Sequence, residues 1–249
     1  MPKFKQEYIF GTRAVIEAIR QEKEIDKVMF LAGAREGELT RQLFALARER
    51  EIPCQYVPEE LFRPFAGRNH QGVLASVSPI AYQDIRDIVD RVIAAGERPL
   101  VLLLDRVTDV RNLGGIARAA ECAGAHAIVI PSRNSAKISS DAIKTSAGAL
   151  YHLPVCREQN LKRVVRDLLH KGLRVYAAHE KGDKLYTGVP MTDGCAIILG
   201  SEDTGIADDL LRLSHERVRV PLLGKIESLN VTSAAAVLLY EAVRQRAGC

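Results

Sequence analysis

The sequence predicts an α/β protein with a mostly parallel sheet, preceded by a smaller α/β domain. Short apolar segments typical of strands alternate along the chain with longer segments of helical period. In the second part the strands are continuous apolar runs, as at residues 100–104, which is typical of parallel strands covered on both faces. With 249 residues and 47% hydrophobic content, the chain is long enough for one large domain and a small one.

The first part of the chain, residues 1–78, is predicted to be the small domain. Helices are predicted where apolar residues such as Leu39, Leu43 and Leu46 recur at helical spacing, and strands where short apolar segments lie between turns. The predicted elements are a helix over 12–20, a strand over 27–31, a helix over 37–49, a strand over 53–57, a short helix over 59–62 and a strand over 72–77.

A connection over residues 79–98 contains a predicted helix over 85–95, which ends at Gly96. Residues 99–249 then form the larger domain. Its strands are predicted over 100–104, 127–130, 154–157, 174–178, 196–199 and 218–220. Its helices are predicted over 113–123, 140–147, 161–170, 206–213 and 231–246. This alternation predicts a parallel sheet with helices on both faces.

Composition narrows the class of protein. Up to Ala95 the chain has 14 basic residues (lysine and arginine) and 14 acidic residues (aspartate and glutamate), and from Gly96 onward it has 21 basic and 17 acidic residues. This mild basic surplus slightly favours a nucleic-acid partner. The cysteines and histidines show no metal-ligand spacing, so we expect no metal and reduced thiols. No apolar run is long enough to span a membrane and the start lacks a signal peptide, so we expect a cytosolic protein.

Polar groups follow the predicted strands of the larger domain. Parallel sheets bind ligands outside the carboxyl ends of their strands, where Asp105, Gly200 and Val220 lie. The segments that follow these strands, or open the last helix, carry glycines, a carboxylate and small polar side chains at loop positions. The candidate site residues are Asn112, Arg118, Glu202, Ser228 and Asn230.

Each candidate also has an ordinary structural interpretation. Asn112 and Asn230 directly precede predicted helices, so either could be an N-cap. Arg118 is predicted on the face opposite the apolar stripe of its helix, where it is either solvated or aimed at a phosphodiester. Ser228 is a common turn residue, and Glu202 a typical solvated one. The convergence of all five at strand ends favours a site.

Two nucleotide-binding patterns are incomplete. Gly200 and Gly205 have the glycine spacing of a phosphate-binding loop, but Ile206 and Ala207 follow where lysine and serine or threonine are required, which excludes a typical nucleotide triphosphatase. The segment at residues 112–115 lacks the glycine pattern of a dinucleotide site, which leaves a nicotinamide-dependent oxidoreductase unsupported.

Three ordered motifs resemble those of the SpoU/TrmH class of RNA ribose 2′-O-methyltransferases, in the SPOUT superfamily. They are Asn112-Leu113-Gly114 with Arg118, Leu199-Gly200-Ser201-Glu202 with Gly205, and Ser228-Leu229-Asn230-Val231 followed by the small residues 233–236. The first part also resembles the substrate-binding domain of 23S rRNA guanosine methyltransferases, which is similar to ribosomal protein L30, at residues 10–15 and 69–73. The turn-like segment at 70–73 is either a turn or an RNA contact together with Arg63 and Arg68.

The resemblance implies a SPOUT-type α/β knot, a catalytic domain with a deep trefoil knot, preceded by the small L30e-like domain. It implies that the methyl donor S-adenosylmethionine is bound by Gly200, Val220 and Leu229 and that a homodimer shares the site. Asn112, Arg118, Glu202, Ser228 and Asn230 would form the catalytic group. The implied substrate is a guanosine of 23S rRNA, either free or in a ribosome assembly intermediate.

The sequence departs from the family pattern at two positions. Val110 stands where proline is usual and Gly115 where alanine is usual, and we expect both changes to affect loop stiffness. Two alternatives stay open at this point. One is a tRNA 2′-O-methyltransferase of the same family, which the added first domain disfavours. The other is a non-catalytic RNA-binding module that has kept the fold.

Overall fold

The computed structural model describes residues 7–34 and 37–248, which form two compact units. Residues 1–6 at the start of the predicted small domain, residues 35 and 36, and Cys249 lie outside the described residues. The first unit runs to Ala81 and the second begins at Tyr82, except that Ile138–Ser140 groups with the first.

The first unit is a four-stranded sheet with two helices. Its elements are β1 (Tyr8–Phe10), α1 (Thr12–Arg20), β2 (Ile25–Leu31), α2 (Glu38–Glu49), β3 (Cys54–Val57), two 3-10 turns (Glu59–Leu61 and Arg63–Phe65) and β4 (Val73–Val77). The strand order is β1-β4-β2-β3, in which β4 is antiparallel to β1 and β2 while β3 is parallel to β2. Apolar side chains of α1 and α2 form one core with β2 and β4.

Two predictions for this unit are confirmed, and one strand of it was not predicted. The short helix predicted near residues 59–62 is present as a 3-10 helix over Glu59–Leu61, and a second 3-10 helix follows over Arg63–Phe65. The strand β1 was not predicted, since three residues are too few to show the alternation of apolar and polar side chains that indicates a strand. The segment at 70–73 is a turn, in which the Val73 amide donates to the His70 carbonyl oxygen at 2.8 Å.

The second unit is built on seven parallel strands. The strands are β5 (Leu100–Asp105), β6 (Ala127–Pro131), β7 (Val155–Glu158), β8 (Arg174–Ala178), β9 (Lys184–Leu185), β10 (Cys195–Gly200) and β11 (Glu216–Arg219). The helices are α3 (Ile85–Ala94), α4 (Val110–Cys122), α5 (Ser140–Thr145), α6 (Leu161–His170), α7 (Asp208–Leu213) and α8 (Val231–Ala247). The order β7-β6-β5-β10-β8-β11-β9 confirms the predicted parallel sheet.

Helices cover both faces of this sheet, as predicted. Side chains of α3, α6 and α7 form one core with Val101 and Leu103 of β5. The helices α4 and α8 pack against each other outside that core. Because successive side chains of a strand point to opposite faces, the remaining β5 residues Leu102 and Leu104 face the α4 and α8 layer.

The neighbouring strands β5 and β10 form a topological switch point. The chain leaves β5 for α4 on one face and leaves β10 for α7 on the other. Loops that diverge in this way open a crevice at the carboxyl ends of the strands, where open α/β sheets bind their ligands.

The helix α4 begins earlier than predicted, at Val110, because the Asp109 carboxylate caps it. Asp109 Oδ1 accepts hydrogen bonds from the amides of Arg111 at 2.6 Å and Asn112 at 3.4 Å. Asn112 therefore lies inside the first turn, and its interpretation as an N-cap is wrong. Asn230, in contrast, is the N-cap of α8, because its side chain accepts from the Thr232 amide.

Replacement of Asp109 by alanine is expected to destabilise the protein by about 1 kcal/mol, the usual cost of losing a cap, whereas asparagine at this position retains most of the stability. Hydrogen bonds from the Arg111 amide and guanidinium lower the pKa of Asp109. Because the pKa of Asp109 is lower in the folded than in the unfolded protein, its carboxylate stabilises the fold above the unfolded-state pKa. This stabilisation is lost as the pH falls through the folded-state pKa.

Thermal unfolding of Asp109→Ala, Asp109→Asn and the parent protein at pH 7 and at pH 3 measures both effects. The stability gap between the parent and the alanine variant should narrow at the lower pH. An unchanged gap would show that the Asp109 carboxylate does not stabilise α4.

Candidate active site

The parallel pairing of β5 with β10 brings two loops together. Asp105 pairs with Gly200 at the ends of the two strands, so the loops that follow start side by side. Asp105 is only 6% exposed; its carboxylate accepts a hydrogen bond from the Ala207 amide at 2.8 Å and forms an ion pair with Arg106 at 3.1 Å. Arg106 also donates to the Gly205 carbonyl oxygen at 3.2 Å. These contacts fix the loop over residues 201–206 against the end of β5.

This loop folds tightly over Gly200. A Cβ atom at Gly200 would lie 2.3 Å from the carbonyl carbon of Gly205 and 2.4 Å from the amide nitrogen of Ile206, so no other residue fits there. The Ser201 hydroxyl accepts from the Thr204 amide at 3.0 Å, which closes the turn. Glu202 is therefore held at the tip of a rigid loop.

Three of the five candidate residues are joined by hydrogen bonds. Asn112 Nδ2 donates to Glu202 Oε1 at 3.1 Å, and Asn230 Nδ2 donates to the same oxygen at 2.7 Å. Asn230 Nδ2 also donates to Asn112 Oδ1 at 3.1 Å. We call these three residues the amide–carboxylate group. It links the first turn of α4, the loop after β10 and the start of α8, and its side chains are accessible to solvent.

The cap of α8 determines which way the Asn230 amide points. Asn230 Oδ1 accepts from the Thr232 amide at 2.9 Å, so its Nδ2 must face away from the helix and toward Glu202. Glu202 Oε1 consequently receives two N–H donors. Within the described residues, Glu202 Oε2 has no hydrogen-bond partner, which leaves one carboxylate oxygen open to a ligand.

The remaining candidates lie at the same edge of the sheet or along α4, outside the amide–carboxylate group. Arg118 is exposed on α4, as predicted, about 9 Å further along the helix axis than Asn112. No described residue pairs with its guanidinium. Ser228 lies in the loop at 221–230, whose residues are all exposed, and has no hydrogen-bond partner in the described part of the chain.

The three residues predicted to bind a cofactor flank this loop. Gly200 ends β10, Val220 directly follows β11 and is half-buried, and Leu229 is 39% exposed. Asp105 and Arg106 position the site but were absent from the predicted set. The signal for Asp105 was present, since a carboxylate that directly ends an all-apolar strand needs buried partners.

The two buried cysteines, Cys156 and Cys195, are inert by comparison. Burial raises the pKa of the Cys156 thiol to about 12 and that of Cys195 to about 11, so both stay protonated at neutral pH. Among residues 7–34 and 37–248, no cluster of three histidine, cysteine, aspartate or glutamate side chains is arranged to hold a metal ion. The helices of those same residues include none long and apolar enough to cross a membrane.

Two family models match the chain. Residues 99–240 match the family model of the SpoU rRNA methylases, and residues 8–83 match that of an RNA 2′-O ribose methyltransferase substrate-binding domain. The chain belongs to the SpoU rRNA methylase family. All residues of the amide–carboxylate group lie within the matched SpoU segment.

Relatives align with nearly the whole length of this chain. The 23S rRNA (guanosine-2′-O-)-methyltransferase RlmB of Xanthomonas axonopodis pv. citri is 35% identical over 98% of this chain and 98% of its own. A TrmH-family protein of Bacillus subtilis, YacO, named as a putative tRNA/rRNA methyltransferase, is 31% identical over 97% of each chain. The structure of an AdoMet-bound rRNA methyltransferase from Sinorhizobium meliloti superposes with a TM-score of 0.60 at 25% identity, over 95% of this chain and 86% of that one.

Replacement of Asn230 by aspartate tests the role of its amide. Aspartate keeps the side-chain oxygen that caps α8. Its other carboxylate oxygen would replace Nδ2, which now lies 2.7 Å from Glu202 Oε1. Like charges this close raise the pKa of the pair, so the variant should lose roughly 1 kcal/mol of stability as the pH rises from 4 to 7.

Serine is the matched control, because it caps α8 without reaching Glu202. Thermal unfolding at pH 4 and pH 7 should show the pH-dependent loss in Asn230→Asp and not in Asn230→Ser. Equal behaviour of the two variants would show that Asn230 and Glu202 do not interact.

Proposed function

We propose that this protein transfers a methyl group from S-adenosylmethionine to the ribose 2′-hydroxyl of a guanosine in 23S rRNA. The observation that carries the proposal is the amide–carboxylate group, which lies at the switch point of a parallel sheet and leaves Glu202 Oε2 open. Support comes from membership of the SpoU family and from similarity to RlmB over nearly the full length of the chain.

The residues proposed to hold the methyl donor suit a ligand bound through backbone and apolar contacts. Gly200 brings the backbone of residues 205 and 206 into close approach, and the half-buried Val220 and part-exposed Leu229 offer apolar surface at the same edge of the sheet. When bound, S-adenosylmethionine supplies an electrophilic methyl group. The Sinorhizobium meliloti enzyme, whose fold this chain shares, contains AdoMet.

The other candidate residues are proposed to act on the ribose hydroxyl. A ribose hydroxyl is a weak acid that must lose its proton as it attacks, so it needs an acceptor and compensation for the developing charge. Glu202 Oε2 accepts a hydrogen bond from the hydroxyl, while Asn112 and Asn230 hold the carboxylate in place. Ser228, in the exposed loop before α8, would add a hydroxyl group to this set of residues.

Arg118 acts as a cation rather than as a base, because an arginine essentially never deprotonates in a protein. Its exposed guanidinium grips the phosphate next to the target ribose and stabilises the developing alkoxide. Its position away from the amide–carboxylate group is consistent with a site that two protomers share.

A homodimer and a deep trefoil knot are further parts of the proposal. The loop at 221–230 exposes apolar side chains, with Leu223 98% and Ile226 76% exposed, and a second copy of the chain would remove them from water.

The knot follows from the resemblance to the SPOUT superfamily. Residues 1–78 are proposed to bind the RNA, residues 79–98 to link, and residues 99–249 to carry the reaction.

The proposal also covers the type of RNA that is methylated. RlmB acts on 23S rRNA according to its name, whereas YacO carries a name that covers both tRNA and rRNA. The separate segment that matches a substrate-binding model favours rRNA, free or in a ribosome assembly intermediate, and this substrate implies a cytoplasmic protein.

The direct test uses the purified protein with methyl-labelled S-adenosylmethionine and separate unmodified 23S rRNA and tRNA transcripts. We expect label on a ribose 2′-oxygen of 23S rRNA, mapped by nuclease digestion and mass spectrometry. Label on tRNA alone would overturn the substrate. Absence of label on both RNAs and on pre-ribosomal particles would favour a non-catalytic RNA-binding module.

Replacement of Arg118 by alanine should lower the rate of methylation of saturating RNA by roughly 10²-fold or more, because a donor to the developing charge is lost. Lysine keeps the charge without the planar fork and should restore only part of the rate. Donor affinity, measured by titration calorimetry, should be unchanged in both variants. Near-normal methylation by Arg118→Ala would contradict this role.

A further inference from the structure

The first turn of α8 packs against the first turn of α4 through Thr232, a residue outside the predicted site. Its amide donates to Asn230 Oδ1 at 2.9 Å. Its hydroxyl lies 3.3 Å from the carbonyl oxygen of Asn112 and 3.5 Å from Asn112 Oδ1. Thr232 thus contacts both asparagines of the amide–carboxylate group.

These contacts set the direction of both side-chain amides. The Thr232 amide occupies Asn230 Oδ1, so Asn230 Nδ2 faces Asn112 and Glu202. Asn112 Oδ1 lies next to two donors, Asn230 Nδ2 and the Thr232 hydroxyl, so Asn112 Nδ2 faces Glu202. Reversal of either amide would place its NH₂ group against an N–H or O–H donor.

The backbone of α4 leaves room for this threonine only because residue 115 is glycine. A Cβ atom at Gly115 would lie 2.7 Å from Thr232 Cγ2 and 3.1 Å from Thr232 Oγ1. Residue 115 belongs to the interior of α4, so the expectation that glycine here alters loop stiffness is wrong. The departure from the usual alanine instead accommodates the methyl group of Thr232.

Gly115 and the Thr232 hydroxyl are consequently coupled. The side chain of threonine is stiff about χ1 in a helix, so a methyl group at residue 115 that displaces Cγ2 also turns Oγ1 away from Asn112. Serine at residue 232 has no Cγ2 and can keep its hydroxyl in place beside alanine at residue 115.

We propose that Thr232 is a positioning residue for the methyl transfer, which orients Asn112 and Asn230 toward Glu202, and that Gly115 is its obligatory packing partner. This inference rests on the proposed function of the same site. Thr232 acts through the asparagines, without contact to the reacting atoms.

The first experiment compares two substitutions at Thr232. Valine keeps the shape and removes the hydroxyl, whereas serine keeps the hydroxyl. We expect Thr232→Val to lower kcat of methyl transfer by about 3- to 10-fold, as for the loss of one neutral hydrogen bond, with a fall in Tm of at most a few degrees and an unchanged donor Kd. Thr232→Ser should retain the parent kcat. Equal kcat in Thr232→Val and the parent, or equal losses in both variants, would overturn the inference.

The second experiment tests the coupling to Gly115. Gly115→Ala alone should lower kcat at least as much as Thr232→Val, and addition of Thr232→Ser should restore it to within about threefold of the parent, which makes the two changes non-additive. Additive losses would overturn the pairing. Failure of the parent protein to methylate any RNA would instead reject the proposed function, so the two failures are distinguishable.

Discussion

The parallel pairing of β5 with β10 is the constraint on which the rest of the site depends. Because Leu100–Asp105 runs in register with Cys195–Gly200, two strand ends that lie 95 positions apart in the sequence meet at the same point of the sheet. Their helices then leave for opposite faces, which opens the crevice between them. Only from these starting points can Asp105 bond the Ala207 amide and Asn112 reach Glu202.

Close approach of backbones is the second requirement, and glycine supplies it where the chain is otherwise regular. In α4, a Cβ atom at Gly114 would lie 2.6 Å from the Thr145 side chain, and one at Gly115 would lie 2.7 Å from Thr232. Two glycines inside a helix each cost roughly 1 kcal/mol of helix propensity. Such a local cost is tolerated where it lets two helices bring functional side chains together.

The sequence predicted the parts of this structure that depend on periodicity and on strand ends. The parallel sheet, the exposure of Arg118 and the cap at Asn230 follow from local patterns. The start of α4 was misplaced because Asp109 competes with Asn112 as a cap three residues earlier. The pairing of Gly115 with Thr232 was invisible, since it depends on the packing of α4 on α8 rather than on either helix alone.

We propose that Asn112, Glu202 and Asn230 act as one unit in methyl transfer to RNA. A double-mutant cycle of Asn112→Ala and Glu202→Ala, followed by single-turnover methylation of 23S rRNA, tests it most directly. Residues that act as a unit give non-additive losses. We expect the double variant to be no more than about threefold slower than the slower single variant. A rate loss in the double variant equal to the product of the two single losses would show that Asn112 and Glu202 act independently, and would contradict this proposal.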